Sequence, residues 1–181
     1  MRIISGAFKG RKFTPPTNIT ARPTTDFAKE SLFNVLNNRF EWESISALDL
    51  FAGTGSISYE LVSRGVPNVT AVEMSERHLT FIHHVIQELN MKSALYPVRM
   101  DVFRYVKSAR HAQFDIIFAD PPYAMNELPA LPDLIFQNNI LKEGGLFILE
   151  HSRKNHFESH PNFMEERSYG NVHFSFFEKK D

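Results

Sequence analysis

The sequence contains no cysteine, which excludes disulfides, thiolate metal sites and cysteine nucleophiles. It has no apolar run approaching the ~18 residues that a membrane span needs. Its opening, "MRIISGAFKG", lacks the apolar centre of a signal peptide. A cytoplasmic protein with no membrane partner is expected. Acidic residues are missing from the first 25 positions, which hold Arg2, Lys9, Arg11, Lys12 and Arg22. The rest of the chain carries 15 basic against 21 acidic side chains, so a net charge of −1 conceals a basic arm on an acidic body. Such an arm is either a solvated hairpin or a contact for a polyanion.

What is present suits one globular domain: 181 residues, 43% hydrophobic and 23% charged. Residues 1 to 13 alternate weakly around Gly6 and Gly10, as in a short β-hairpin. "TPPTNITARP" is an extended connector stiffened by proline. A helix follows, capped by Thr24 or Thr25, with Asp26 in its first turn and Ala28, Leu32, Val35 and Leu36 on one face. From Ile45 the chain alternates strands and helices. "ISALDLF", "NVTAVE", "LYPVRM", "FDIIFA" and "LFILEH" read as strands, with Pro97 placing the third at an edge. Ser75 caps a helix with Leu79, Ile82, Ile86 and Leu89 inward, "LPALPDLIFQNNIL" is a broken helix, and "EGG" is a turn. Gly170-Asn171 marks a closing antiparallel hairpin. Repeated βα units give an α/β, doubly wound and mostly parallel sheet.

In such sheets ligands sit beyond the carboxyl ends of the strands. The first strand ends at Asp49 and the turn Gly53-Thr54-Gly55, the second at Glu73, the third at Asp101 and the fourth at Asp120-Pro121-Pro122-Tyr123. Singly, each acid is a turn former or a helix cap. Together they surround one crevice with carboxylates, which repel one another unless a ligand supplies donors. A dinucleotide-binding turn calls for a third glycine where this chain has Ser58. Asp49 would oppose a pyrophosphate but suits a cationic amine. Glu73 is placed for ribose hydroxyls and Asp101 for an adenine amine. Amino acid, ribose and adenine in that order describe S-adenosylmethionine.

"DLFAGTGS", "AVE", "MD" and "DPPY" resemble the class I S-adenosylmethionine-dependent methyltransferases, and Asp-Pro-Pro-Tyr resembles the branch that methylates amino nitrogens. "ISGAFKGRKF", "RPTTDFAKESLFNVL", "DLFAGTGSISYELVSRG" and the closing "YG" resemble the bacterial small-subunit rRNA guanine-N2 methyltransferase family over essentially the whole chain. Thr54 stands where that family commonly has Ser, and Ala21 where Thr often precedes the Arg. The resemblance implies a Rossmann-like, mixed but mostly parallel seven-stranded sheet with helices on both faces. It implies a single domain, with residues 1–44 as a basic hairpin-and-helix extension and residues 45–181 as the cofactor-binding core. Asp49, Phe51, Gly53, Thr54, Gly55, Glu73, Asp101 and Val102 would bind the cofactor. Asp120, Pro121, Pro122 and Tyr123 would be catalytic, and Lys9, Arg11, Lys12 and Arg22 would bind RNA. The implied partner is 16S rRNA within the small ribosomal subunit or an assembly intermediate, met by a monomer.

Asp-Pro-Pro-Tyr then has a physical purpose. A nucleobase amine is a poor nucleophile because its lone pair is delocalised into the ring. Hydrogen bonds from its N–H groups to Asp120 and the Pro121 carbonyl would favour a localised lone pair, and would strengthen as positive charge develops. Tyr123 would stack on the extruded base. The rival readings are an amino-methyltransferase acting on DNA adenine or cytosine or on a protein glutamine, a non-catalytic RNA-binding ribosome assembly factor, and a dehydrogenase. The eight histidines, among them His83, His84, His156 and His160, read as surface residues, with no metal expected.

Overall fold

The computed structural model describes residues 1–19, 24–109 and 112–180. Among these described residues seven strands form one sheet: β1 (Ser46–Leu50), β2 (Asn68–Glu73), β3 (Leu95–Arg99), β4 (Phe114–Ala119), β5 (Leu141–His151), β6 (Phe163–Tyr169) and β7 (Val172–Glu178). Their order is β3-β2-β1-β4-β5-β7-β6. The pairs from β3 to β5 are parallel, and β7 joins antiparallel to both β5 and β6. Strand order therefore reverses between β1 and β4, where the crossovers leave in opposite directions and open a crevice. Pro97 lies on edge strand β3, where a missing donor costs the ladder nothing on the open side.

Among the described residues five α-helices accompany the sheet: α1 (Asp26–Asn37), α2 (Ser56–Ser63), α3 (Glu76–Glu88), α4 (Val102–Ser108) and α5 (Leu131–Gln137). Thr25 caps α1 by accepting from the Ala28 N–H at 3.2 Å, and Ser75 caps α3. Strand residues alternate between two core layers. Ala47, Ile116, Phe118, Leu146, Ile148, Phe174 and Phe176 pack with α1, α2 and α3. Leu48, Leu50, Ile117, Ala119, Phe147, Leu149 and Phe177 pack with α4 and α5.

Several expectations need correction. The short hairpin expected in residues 1–13 is not one of them: Met1 and Phe13 exchange backbone bonds at 2.9 and 3.0 Å, the Ile3 N–H donates to the Arg11 carbonyl at 3.0 Å, and Arg2 bridges Lys12 antiparallel. "EGG" is no free turn but an excursion within β5. Phe114 pairs with Leu141 and Ile116 with Leu146, so the extra β5 residues bulge out while Gly144 takes φ +71°. Helix α4, capped by Asp101, has no counterpart among the elements expected from the sequence. Val35 is only partly buried, and its place in the core face of α1 is taken by Lys29 and Phe33. His151 is fully buried rather than superficial. Its Nε2 lies 2.7 Å from Ser175 Oγ and its Nδ1 2.8 Å from the Ser152 carbonyl, so both ring nitrogens are satisfied and burial lowers its pKa. His160 is also half-buried, tilted against Phe136.

Lys29 shows how the N-terminal arm is fastened. Its Nζ donates to the Arg2 carbonyl (2.5 Å) and Ser56 Oγ (3.1 Å) and lies 3.7 Å from Glu60 Oε2. The buried Glu60 also accepts from the Ile4 and Ser5 N–H groups, at 2.8 and 3.0 Å, and from Arg64 Nε at 3.0 Å. A desolvated ion pair is tolerable only with its remaining bonds satisfied, and here arm, α1 and α2 satisfy it together. Among the described residues no helix is long and apolar enough to cross a membrane.

Candidate active site

Register places the strand-end acids. Asp49 pairs with Phe118 across β1 and β4, and Asp120 follows Phe118 by two, so both carboxylates belong to the same sheet face. Ala119 pairs with Leu149, which brings Glu150 beside Asp120 with the same parity. Glu150 thus stands one strand further along, and Asp49 and Asp120 flank the point where strand order reverses. A pocket there is lined by Asp49, Asp120, Phe51, Gly53, Thr54 and Thr24, among others.

The turn after β1 forms its own cradle. Phe51 takes φ +58°, Gly53 +56° and Gly55 +84°. A Cβ on Gly55 would lie 2.6 Å from the Tyr59 ring and hydroxyl, whereas at Gly53 the nearest atom would be the Phe51 carbonyl at 3.9 Å. Gly55 is thus required by packing, while Gly53 leaves open space that a ligand can approach. Ser58 gives Asp49 Oδ2 both its N–H (3.1 Å) and its hydroxyl (2.6 Å). Burial nevertheless raises the Asp49 pKa to about 7, because the Ser58 bonds offset only part of the desolvation. A cation in the pocket would restore the carboxylate to its charged form.

Glu73 sits at the rim of the same turn. One oxygen accepts from the Gly53 N–H and the other from the Ser75 N–H, each at 2.8 Å, so the carboxylate is fixed in place. Asp101 is exposed and spends one oxygen on the Arg104 N–H at 2.9 Å, as the cap of α4. Val102 behind it is buried. Neither lines the pocket between β1 and β4; both stand at the β3 end of the same sheet edge.

Pro121 is buried and Pro122 exposed, so the turn after β4 is anchored by its first proline. The Tyr123 hydroxyl donates to Glu150 Oε1 at 3.1 Å, and Thr24 Oγ1 donates to Oε2 at 2.9 Å. Glu150, almost fully buried, therefore ties the Asp-Pro-Pro-Tyr turn to the residue that leads into α1.

The basic arm is less uniform than its sequence. Lys9 and Lys12 are exposed. Arg11 is committed to Glu88 at 2.5 Å, and Arg2 to Asp26 at 3.2 Å. Arg22 lies outside the described residues. A cleft of about 580 Å³ runs between the arm and the start of α1, lined by Arg2, Lys12, Phe13, Thr24 and Asp26 among others. Thr24 borders both this cleft and the carboxylate pocket. Among the described residues no group of three or more His, Asp or Glu side chains is placed to hold a metal.

The model of the family described as Conserved hypothetical protein 95 matches residues 1–178. The chain belongs to that family. Ribosomal RNA small subunit methyltransferase D of Haemophilus influenzae is 32% identical over 154 residues, covering 83% of this chain and 78% of the relative. The protein of the same name from Buchnera aphidicola (strain Bp) is 28% identical over 98% of this chain and 91% of the relative. Among solved structures, a Thermus thermophilus protein superposes with TM-score 0.85 at 26% identity, covering 98% of this chain and 99% of the other. A Thermus thermophilus 16S rRNA N2 methyltransferase, solved with AdoMet and guanosine, superposes with TM-score 0.68 at 22% identity over 87% of this chain and 44% of that one. The fold is that of the class I S-adenosylmethionine-dependent methyltransferases.

Within this methyltransferase family fold, sequence reasoning missed Glu150, Thr24 and Ser58 as parts of the site. In the sequence pattern Ser58 stands out only as the position where a dinucleotide-binding turn has glycine. For Glu150 the signal was present: an acid closing an apolar strand, with the same parity as Asp120 once β4 and β5 pair.

Proposed function

We propose that this family member transfers a methyl group from S-adenosylmethionine to the exocyclic N2 of a guanine in 16S rRNA. The observation that carries the proposal is the placement of Asp120 beside Asp49, on one sheet face at the strand-order reversal. The residues present fit this cofactor. The raised Asp49 pKa favours a cationic partner, Gly53 leaves its backbone approachable, and Glu73 is held rigidly for a diol. Asp49, Phe51, Gly53 and Thr54 are assigned to its amino-acid end, Gly55 to the turn beneath it, Glu73 to the ribose, and Asp101 and Val102 to the adenine.

When bound, the cofactor supplies an electrophilic methyl group activated by its own sulfonium charge. Asp120 and the Pro121 carbonyl accept the two N–H groups of the target amine and orient its lone pair along the line of displacement. Buried Pro121 keeps that carbonyl fixed. Tyr123 packs on the base, and its hydroxyl bond to Glu150 sets the ring plane. Lys9 and Lys12 meet RNA phosphates; Arg11, paired with Glu88, contributes less than its charge suggests. Small-subunit rRNA is chosen as substrate because the relatives named above are small-subunit rRNA methyltransferases, and guanine N2 because the chain's motifs resemble the guanine-N2 methylating family. A monomer acting in the cytoplasm on the small subunit, with residues 1–44 as its RNA-facing extension, completes the reading.

The test is Asp120→Ala. Methyl transfer to unmodified small subunits falls by at least ~1,000-fold, while S-adenosylmethionine affinity stays within a few-fold. Equal loss of both would assign Asp120 to cofactor binding instead.

A further inference from the structure

Phe27 is 67% exposed, although it lies in the first turn of a helix whose other large apolar side chains are mostly inside. Burying a phenylalanine stabilises a fold by roughly 1.5–3 kcal/mol, and this one forgoes most of that. Single exposed apolar residues are common. Three relationships distinguish Phe27.

It lies close to the reaction pocket. Thr24, three residues earlier, lines the pocket holding Asp49 and Asp120 and donates to Glu150. Three peptide units reach at most ~11 Å. It is also held. Its ring meets Tyr169 edge-to-face, with centroids 5.9 Å apart and planes at 84°. Tyr169 ends β6 beside the Gly170 turn, and its ring lies 6.0 Å from that of Phe174. Phe174 pairs in register with Glu150. A continuous path of packed groups therefore joins Phe27 to the acid that holds Tyr123. Finally, the other flank of the α1 N-terminus is the cleft lined by exposed Lys12 and by the Arg2–Asp26 pair.

We infer that Phe27, buttressed by Tyr169, is a stacking platform for an unpaired nucleobase flanking the target nucleotide. The inference rests on the proposed RNA substrate. A strand whose phosphates meet Lys12 along this cleft passes over the start of α1. One base enters the pocket at Asp120 and Tyr123, and a neighbouring base lies on the open face of Phe27. The near-perpendicular contact with Tyr169 fixes the ring plane, and two thirds of the side chain stays open to solvent. Stacking needs no base-specific hydrogen bond, so the platform provides affinity and register rather than sequence choice.

The experiment compares wild type with Phe27→Ala, Phe27→Leu and Phe27→Trp on small ribosomal subunits lacking the modification and on naked 16S rRNA. Phe27→Ala and Phe27→Leu raise KM for rRNA by ~5- to 100-fold, the range that aromatic–base stacking spans. Their S-adenosylmethionine affinity and Tm match wild type. Phe27→Trp retains wild-type KM, and its fluorescence, separable from that of the single native Trp42 by difference against wild type, is quenched by rRNA. A Phe27→Ala enzyme within twofold of wild type, or a Leu variant as effective as Trp, overturns the platform while leaving the methyltransferase reading intact. A wild-type enzyme that binds S-adenosylmethionine but neither binds nor methylates rRNA overturns both.

Discussion

Ser58 directs both its backbone N–H and its hydroxyl at a single oxygen of Asp49, at 3.1 and 2.6 Å. Asp49 also lines the pocket between β1 and β4. The structure thus holds this carboxylate in place at the pocket wall, at the cost of desolvation.

That cost sets a pH dependence. The Asp49 pKa is about 7 in the folded protein against 3.8 for an ordinary aspartate, so between those values the native state binds the extra proton. Stability of the ligand-free protein therefore falls as pH rises from about 4 to 7, by up to ~1.4 kcal/mol per pH unit from this group. Asp49→Asn removes that slope in denaturant titrations at pH 5, 6 and 7. S-adenosylmethionine affinity runs the opposite way, rising from pH 6 to pH 8, and the Asn variant binds ~10- to 100-fold more weakly at pH 8.

The two glycines after β1 differ in kind. Gly55→Ala drives a Cβ to 2.6 Å from Tyr59 at φ +84°, and lowers stability by ~2 kcal/mol or more. Gly53→Ala meets no atom closer than 3.9 Å, so it costs only ~1 kcal/mol of backbone strain yet obstructs the cofactor. Thermal melts with and without S-adenosylmethionine separate them: Gly55→Ala melts early without ligand, and Gly53→Ala loses the ligand-induced shift.

Tyr123 and Glu150 act as a pair. Tyr123→Phe loses the 3.1 Å bond but keeps the ring, lowering single-turnover transfer less than tenfold. Tyr123→Ala removes the stacking face as well and costs ~10- to 100-fold more. Glu150→Gln lowers kcat by ~10-fold, leaves cofactor affinity unchanged, and adds little when combined with Tyr123→Phe. That non-additivity is what a shared interaction produces.

The arm depends on an asymmetric ion pair. Lys29→Met leaves Glu60 with Arg64 and two backbone N–H groups and costs ~1–2 kcal/mol. Glu60→Gln strands the buried Lys29 ammonium and costs ~3–5 kcal/mol. Urea denaturation measures both, and limited proteolysis near residues 5–12 accelerates most in the Gln variant.

How much of this was legible follows from the range of each interaction. Strands β1, β2 and β4, the caps at Thr25 and Ser75, and the inner face of α3 arise from local pattern, and the sequence carries local pattern directly. The carboxylates of Asp49 and Asp120 were readable because each ends an apolar run beside glycine or proline. Lys29 was not, since helical periodicity treats lysine as solvent-facing and its partner Glu60 belongs to another helix. Glu150 needed the β4–β5 register. The β5 excursion at Gly144 and Gly145 was concealed because glycines that signal a turn also permit a bulge. The hairpin of the arm is local pattern, but its fastening to Glu60 joins segments far apart in the chain.

The most direct test of the proposed reaction is transfer of labelled methyl from S-adenosylmethionine to unmodified small subunits and to naked 16S rRNA, followed by nucleoside analysis. The expected result is label in N2-methylguanosine, absent with Asp120→Ala. Label in another nucleoside, or none despite bound S-adenosylmethionine, would contradict it.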